Sequence, residues 1–101
     1  MKKILIEEDE FILLVETMDK SIINDLLYCQ ALQYIKLLNK KWKCYRVNKD
    51  DLVILFKFGF LSETEVKKIP ELWIVKNKNV IERISDFQYC SVKLENKEKL
   101  I

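Results

Sequence analysis

The chain is expected to adopt an α/β fold, a central mixed sheet of four to five strands flanked by helices. Three stretches predict it. Phe11-Ile12-Leu13-Leu14-Val15 is an unbroken apolar run of strand length, the pattern of a central strand covered on both faces. Ile22 to Leu38 carries apolar residues at helical spacing, and a strand-like segment, Lys43-Cys44-Tyr45-Arg46-Val47, follows it. Leu72 to Val75 and Val80 to Ile84 flank Asn77-Lys78-Asn79, a hairpin signature in which Asn accepts the positive φ of a tight turn. Strand, helix, strand, helix and hairpin in that order define an α/β arrangement. The connections from Val15 to Cys44 and from Val47 to Leu72 are each long enough for a right-handed crossover.

Taken in order, Lys3 to Ile6 reads as a short edge strand closed by Glu7-Glu8-Asp9-Glu10. Thr17-Met18-Asp19-Lys20 is a loop, and Ser21 caps the first helix with Asn24 and Asp25 in its first turn. Steps of about 100° per residue place Ile23, Leu27, Ala31, Tyr34 and Leu38 on one stripe, with Tyr28 and Ile35 beside it. Leu26, Leu32 and Leu37 widen the apolar arc, which predicts burial over more than half the helix girth. Cys29 falls in the polar arc. Asn39-Lys40-Lys41 ends the helix.

After the second strand, Asn48-Lys49-Asp50 is a turn and Asp50 caps a second helix from Asp51. Gly59, the only glycine, stops it. Ser62 and Glu65 have capping-box spacing, which predicts a short third helix to Lys68. Ile69, preceding proline, is pushed out of helical geometry. Pro70 stands ahead of the third strand, where its missing N–H costs no ladder bond. Asp86 caps a last amphipathic stretch, Phe87 to Ile101.

Length and composition bound the function. A chain of 101 residues, 50% of them hydrophobic, is read as one domain over 1–101. It buries roughly 65% of its unfolded surface without metal or disulfide staples. The net charge of +2, from 18 basic and 16 acidic residues, supplies no electrostatic footprint for nucleic acid or an anionic membrane. No apolar run reaches the ~18 residues of a membrane span, and Lys2-Lys3 is followed by too short an apolar region for a signal peptide. Three unevenly spaced cysteines fit a reducing, cytoplasmic setting. With no histidine, histidine triads drop out; no metal-ligand spacing and no Gly-rich phosphate loop appears, so no cofactor is expected.

Two pieces resemble the thioredoxin family. Val47-Asn48-Lys49-Asp50 is similar to the Val-Asn-x-Asp that ends the second βαβ strand of thioredoxins. The stretch from Ile69-Pro70 through Ile84 is similar, without a gap, to the family's C-terminal hairpin. The resemblance spans roughly Phe11 to Ile84 and places Pro70 at the family's cis-proline. The departures are Met18-Asp19-Lys20-Ser21-Ile22-Ile23-Asn24-Asp25 where thioredoxins carry Trp-Cys-Gly-Pro-Cys, Lys78 for the hairpin Gly, and Ser85 where Gly is common. Both redox cysteines are missing, so the resemblance implies a member without catalytic residues.

What the resemblance leaves is a recognition corner that holds a partner's extended peptide: Met18, Asp19, Lys20 and Ser21, then Ile69 and Pro70, then Ser85 and Asp86. Backbone beside such a proline can bond a partner strand. The expectation is a protein-binding, adaptor or complex-assembly module with a protein partner. The same residues also have plain structural readings. Capping accounts for Ser21, Asn24 and Asp25, for which no base is placed. A degenerate thiol–disulfide oxidoreductase using Cys29 or Cys90 is the rival, although Cys29 lies too far into its helix to feel the N-terminal dipole. Cys44 reads as a small core residue on an inner strand. A small phage or mobile-element inhibitor is a third reading, from the Lys/Ile/Asn-rich composition.

Overall fold

A computed structural model describes residues 5–19 and 22–85. The sequence expectations for Lys20, Ser21, Asp86 and the stretch from Phe87 to Ile101, with Cys90, lie outside the described residues.

The elements run β1 (Glu10–Val15), α1 (Ile22–Leu37), β2 (Cys44–Val47), α2 (Lys49–Lys57), β3 (Glu71–Lys76) and β4 (Asn79–Ile84). They build an α/β fold around one mixed sheet in the order β2-β1-β3-β4. β1 pairs with β2 in parallel, and with β3 antiparallel from Phe11↔Val75 to Val15↔Glu71. The apolar run of β1 is therefore central, and its alternate residues feed two cores. Phe11, Leu13 and Val15 join Trp73, Val75, Leu52, Leu55 and Leu61 on the α2 face. Ile12 and Leu14 join Leu72, Ile74, Ile84, Leu27, Ala31 and Ile35 on the α1 face.

Both helices stop in the same way. Asn39 (φ 55°) and Gly59 (φ 74°) take the left-handed conformation. Behind them Lys40 N–H reaches Ile35 O and Phe60 N–H reaches Leu55 O, the long bond of a Schellman motif. The hairpin turn has φ 50° at Asn77 and 69° at Lys78. Two successive positive φ values are those of a type I′ turn, which favours Asn-Gly. Lys78→Gly is expected to stabilise the fold by about 0.5–1 kcal/mol, because a side chain strains that conformation. A urea midpoint that rises with an unchanged m-value would bear this out; an unmoved midpoint would not.

Five sequence expectations are corrected. First, α1 is buried only along Asn24, Leu27, Ala31 and Ile35; Ile22, Ile23, Leu26, Leu32 and Leu37 are exposed. One stripe suffices to cover the sheet, and none of the described elements lies over the opposite side of the helix. Second, no third helix forms at residues 62–68. Ser62 N–H is taken by Lys78 O at 2.7 Å and Thr64 Oγ1 accepts from Arg83. Leu61 is buried and Val66 packs on the α2-side core, so an extended path satisfies more than one costly helical turn would.

Third, α2 is capped by Asn48 rather than Asp50. Asn48 Oδ1 accepts from Asp51 N–H at 2.9 Å, and Asp51 Oδ2 accepts from Asn48 N–H at 3.0 Å, a reciprocal capping box. Fourth, Cys44 sits on an edge strand, half-buried against the α1-side core. Fifth, of the edge strand expected at Lys3 to Ile6, Lys3 and Ile4 lie outside the described residues, and residues 5 and 6 are not in a strand; Asp9 O accepts Asn77 N–H at 2.7 Å, which ties the described segment to the hairpin turn.

Candidate functional site

Four strands end in one row. Val15 pairs with Val47 on one side and with Glu71 on the other. Glu71 in turn accepts a hydrogen bond from Ser85 Oγ at 3.1 Å. The segments leaving this row carry the residues that the sequence nominates. Met18 and Asp19 follow β1, Ile69 and Pro70 precede β3, and Ser85 follows β4. Met18 and Ile69 are exposed, so apolar surface is accessible at this end of the sheet. The Ile69–Pro70 peptide bond is cis.

The β1–α1 loop is held from inside. Asn24 is buried, and its Nδ2 donates to Asp19 O at 2.6 Å and to Thr17 O at 3.4 Å. Thr17 Oγ1 donates to Asn24 Oδ1 at 3.2 Å. An amide in the first helical turn with both ends engaged thus fixes the loop that presents Met18 and Asp19.

Beside this loop a cleft of about 780 Å³ opens over the ends of β1 and β2, lined by Glu16, Met18, Asp19, Ile22, Arg46 and Asp50 among others. Ile69, Pro70 and Ser85 do not line it. The structure therefore brings Met18 and Asp19 into the cleft and leaves the other three at the same sheet end, outside it. Arg46 organises the cleft. Its Nη2 lies 2.9 Å from Glu16 and 2.8 Å from Asp25, its Nε donates to Glu16 at 3.0 Å, and it stacks over the Tyr28 ring. The Glu16 hydrogen bond, then that of Asp25, holds the guanidinium above its ordinary pKa. Arg46 thus serves as a clamp between β2, the β1–α1 loop and α1.

A second network went unforeseen. Glu71 is buried, accepting from Trp73 Nε1 at 2.8 Å and facing Arg83 Nη1 at 3.6 Å. Arg83 lies over the Trp73 ring at 4.4 Å and donates to Thr64 Oγ1 at 2.7 Å. A β-bulge creates this arrangement. The turn pairs Lys76 with Asn79 and Val75 with Val80, but the register then shifts so that Ile74 meets Glu82 and Trp73 meets Arg83. The alternation of strand residues puts Glu71 and Trp73 on one face; the bulge that turns Arg83 and Ser85 toward them leaves no mark in the sequence.

Cys29 is exposed in the middle of α1, and burial pushes the Cys44 thiol up to about 12. Among the described residues no group of three or more His, Cys, Asp or Glu is placed to hold a metal ion, and no helix is long and apolar enough to cross a membrane. Compared with known proteins, the chain matches no family model, no curated protein and no solved structure.

Proposed function

We propose that the chain is a thioredoxin-fold protein without redox activity, working in the cytosol as a protein-binding, adaptor or complex-assembly module. The observation that carries this reading is the gathering of Met18, Asp19, Ile69, Pro70 and Ser85 at one end of the sheet. The element order and the strand order β2-β1-β3-β4, with one parallel and two antiparallel pairings, support the fold part of it. The partner is a protein segment in extended form, laid against the backbone ahead of β3 with apolar side chains on Met18 and Ile69. The sequence expectation adds Lys20, Ser21 and Asp86, which lie outside the described residues.

Selection of extended peptides from a displayed library, followed by amide-resolved titration, tests it. Binding is expected to shift the amides of residues 16–19, 69 and 85, and Ile69→Asp is expected to weaken it at least about tenfold, as loss of a central apolar contact does. Shifts confined to other surfaces, or reduction of a protein disulfide at the rate of a true dithiol catalyst, would overturn the proposal.

A further inference from the structure

β3 opens on a buried carboxylate. Glu71 directly follows Pro70 and heads the apolar run Leu72-Trp73-Ile74-Val75. It is 5% exposed and pairs with Val15, the last residue of β1. A charge taken out of water is costly unless donors surround it, and an apolar residue of similar size often serves a fold equally well. Here the donors are shared between the two oxygens. Oε1 accepts from Trp73 Nε1 at 2.8 Å and lies 3.6 Å from Arg83 Nη1, while Oε2 accepts from Ser85 Oγ at 3.1 Å.

The Ser85 bond lies where the sheet stops. The β3–β4 ladder ends at Leu72↔Ile84, and Ser85 is one residue past it. We propose that Glu71 is a positioning residue of the partner-binding corner, its carboxylate fixing Ser85 relative to Ile69 and Pro70. This inference rests on the peptide-binding reading. Buried as it is, Glu71 touches no partner and acts through Ile69 and Ser85. Arg83 braces it from the other side, stacking over Trp73 and donating to Thr64 Oγ1 at 2.7 Å. A partner segment that reaches from Ile69 to Ser85 meets two contacts at a spacing already set. Without the link, that spacing has to be ordered on binding, which costs affinity.

Glutamine discriminates positioning from charge. Its Oε1 accepts from Trp73 Nε1 and its Nε2 donates to Ser85 Oγ, since a hydroxyl both donates and accepts. Glu71→Gln therefore keeps the link with one bond reversed. Glu71→Leu fills roughly the same space and removes it.

Nitrogen-15 relaxation of the free chain, and titration with a library-selected extended peptide, test the proposal. Glu71→Leu is expected to lower the order parameters of Ile69 and Ser85 from about 0.85 toward about 0.6, with β1 and α1 unchanged. Glu71→Gln is expected to leave them in place. Peptide affinity should fall at least about tenfold in Glu71→Leu and no more than about threefold in Glu71→Gln. Ser85→Ala cuts the same link at an exposed position outside both cores, and covers the case in which Glu71→Leu does not fold. The affinity losses of Glu71→Leu and Ser85→Ala should not add when combined, because each removes the same link. Loss of order spread over the whole sheet overturns the proposal, as does Glu71→Gln proving as damaging as Glu71→Leu. A peptide held equally by the wild type, Glu71→Leu and Ser85→Ala overturns the role of Glu71 alone. A wild-type chain that selects no peptide overturns the binding reading and this role with it.

Discussion

Trp73→Ala is expected to destabilise the fold by about 3–5 kcal/mol, raising the unfolded fraction from about a hundredfold to several thousandfold. Trp73 is fully buried and the largest side chain among the described core residues. Its indole fills the α2-side core between Phe11, Leu13, Val15 and Val75, so truncation loses transfer energy and leaves a cavity. Two further losses follow. Glu71, buried beside it, forfeits the Nε1 donor at 2.8 Å, and Arg83 forfeits the ring on which it stacks at 4.4 Å. A buried carboxylate short of a donor costs about 1–3 kcal/mol or more.

Trp73→Phe separates the contributions. It keeps most of the apolar body, and its expected cost is about 1.5–3 kcal/mol, chiefly the indole donor lost to a buried carboxylate that keeps Ser85 and Arg83. Combining Trp73→Phe with Glu71→Leu removes donor and acceptor together. The pair is expected to cost less than the sum of the singles by about 1 kcal/mol or more. Urea unfolding of the four proteins measures the coupling. If the two single changes simply add, Glu71 does not depend on the indole and the network is only a packing contact.

The same network shows where sequence reading runs out. β1 is legible because an unbroken apolar run has no other comfortable place than the middle of a sheet. The hairpin is legible because Asn77-Lys78-Asn79 tolerates positive φ between two β-rich runs. Helix ends at Asn39 and Gly59 follow from the same conformational preference. What sequence periodicity cannot show is which side of an amphipathic stretch finds a partner. α1 carries apolar residues around most of its circumference, and only the sheet's width decides that Leu27, Ala31 and Ile35 are covered while Leu26 and Leu37 are not.

Competition between local signals defeats spacing rules in the other places. Ser62 and Glu65 match a capping box, yet Ser62 N–H and Thr64 Oγ1 are claimed by Lys78 and Arg83 from distant positions. Asn48 and Asp50 are both good caps; Asn48 wins because Asp51, three residues on, completes the reciprocal pair. At the candidate site, the gathering of Met18, Asp19, Ile69 and Ser85 follows from the strand order, whereas the Arg46 clamp and the Glu71 network depend on cross-strand geometry. Neither was foreseen.

Cys44 is expected to resist alkylation in the folded chain about a thousandfold relative to the same thiol in urea at pH 8. Its pKa is pushed from an ordinary 9.0 to about 12. Burial is the main cause; the Glu16 charge adds to it, and Arg46 partly offsets it. Only the thiolate reacts, and three pH units remove about three powers of ten of it. A Cys29→Ser, Cys90→Ser variant leaves Cys44 as the only thiol, so mass change after iodoacetamide reads it directly. Equal rates folded and in urea would show that β2 opens freely at this edge.

The same shift links stability to pH, with a definite sign. Below about 9 the thiol is neutral in both states and contributes its full share. Between about 9 and 12 the unfolded chain ionises first, so stability is lost as pH rises through that window, by up to about 4 kcal/mol. Tyr45, also raised to about 12 by desolvation and then by its hydrogen bond to Glu8, acts in the same direction. Its hydroxyl is near the surface and screened, so its share is smaller. Cys44→Ala should therefore flatten, without abolishing, the alkaline fall in unfolding free energy measured from pH 8 to 11. An unchanged slope would mean that Cys44 is solvated after all, and would return it to the set of thiols able to attack a disulfide. A steep wild-type slope with a shallow variant slope withdraws it from that chemistry and leaves the thiol-exchange rival with Cys29 and Cys90 alone.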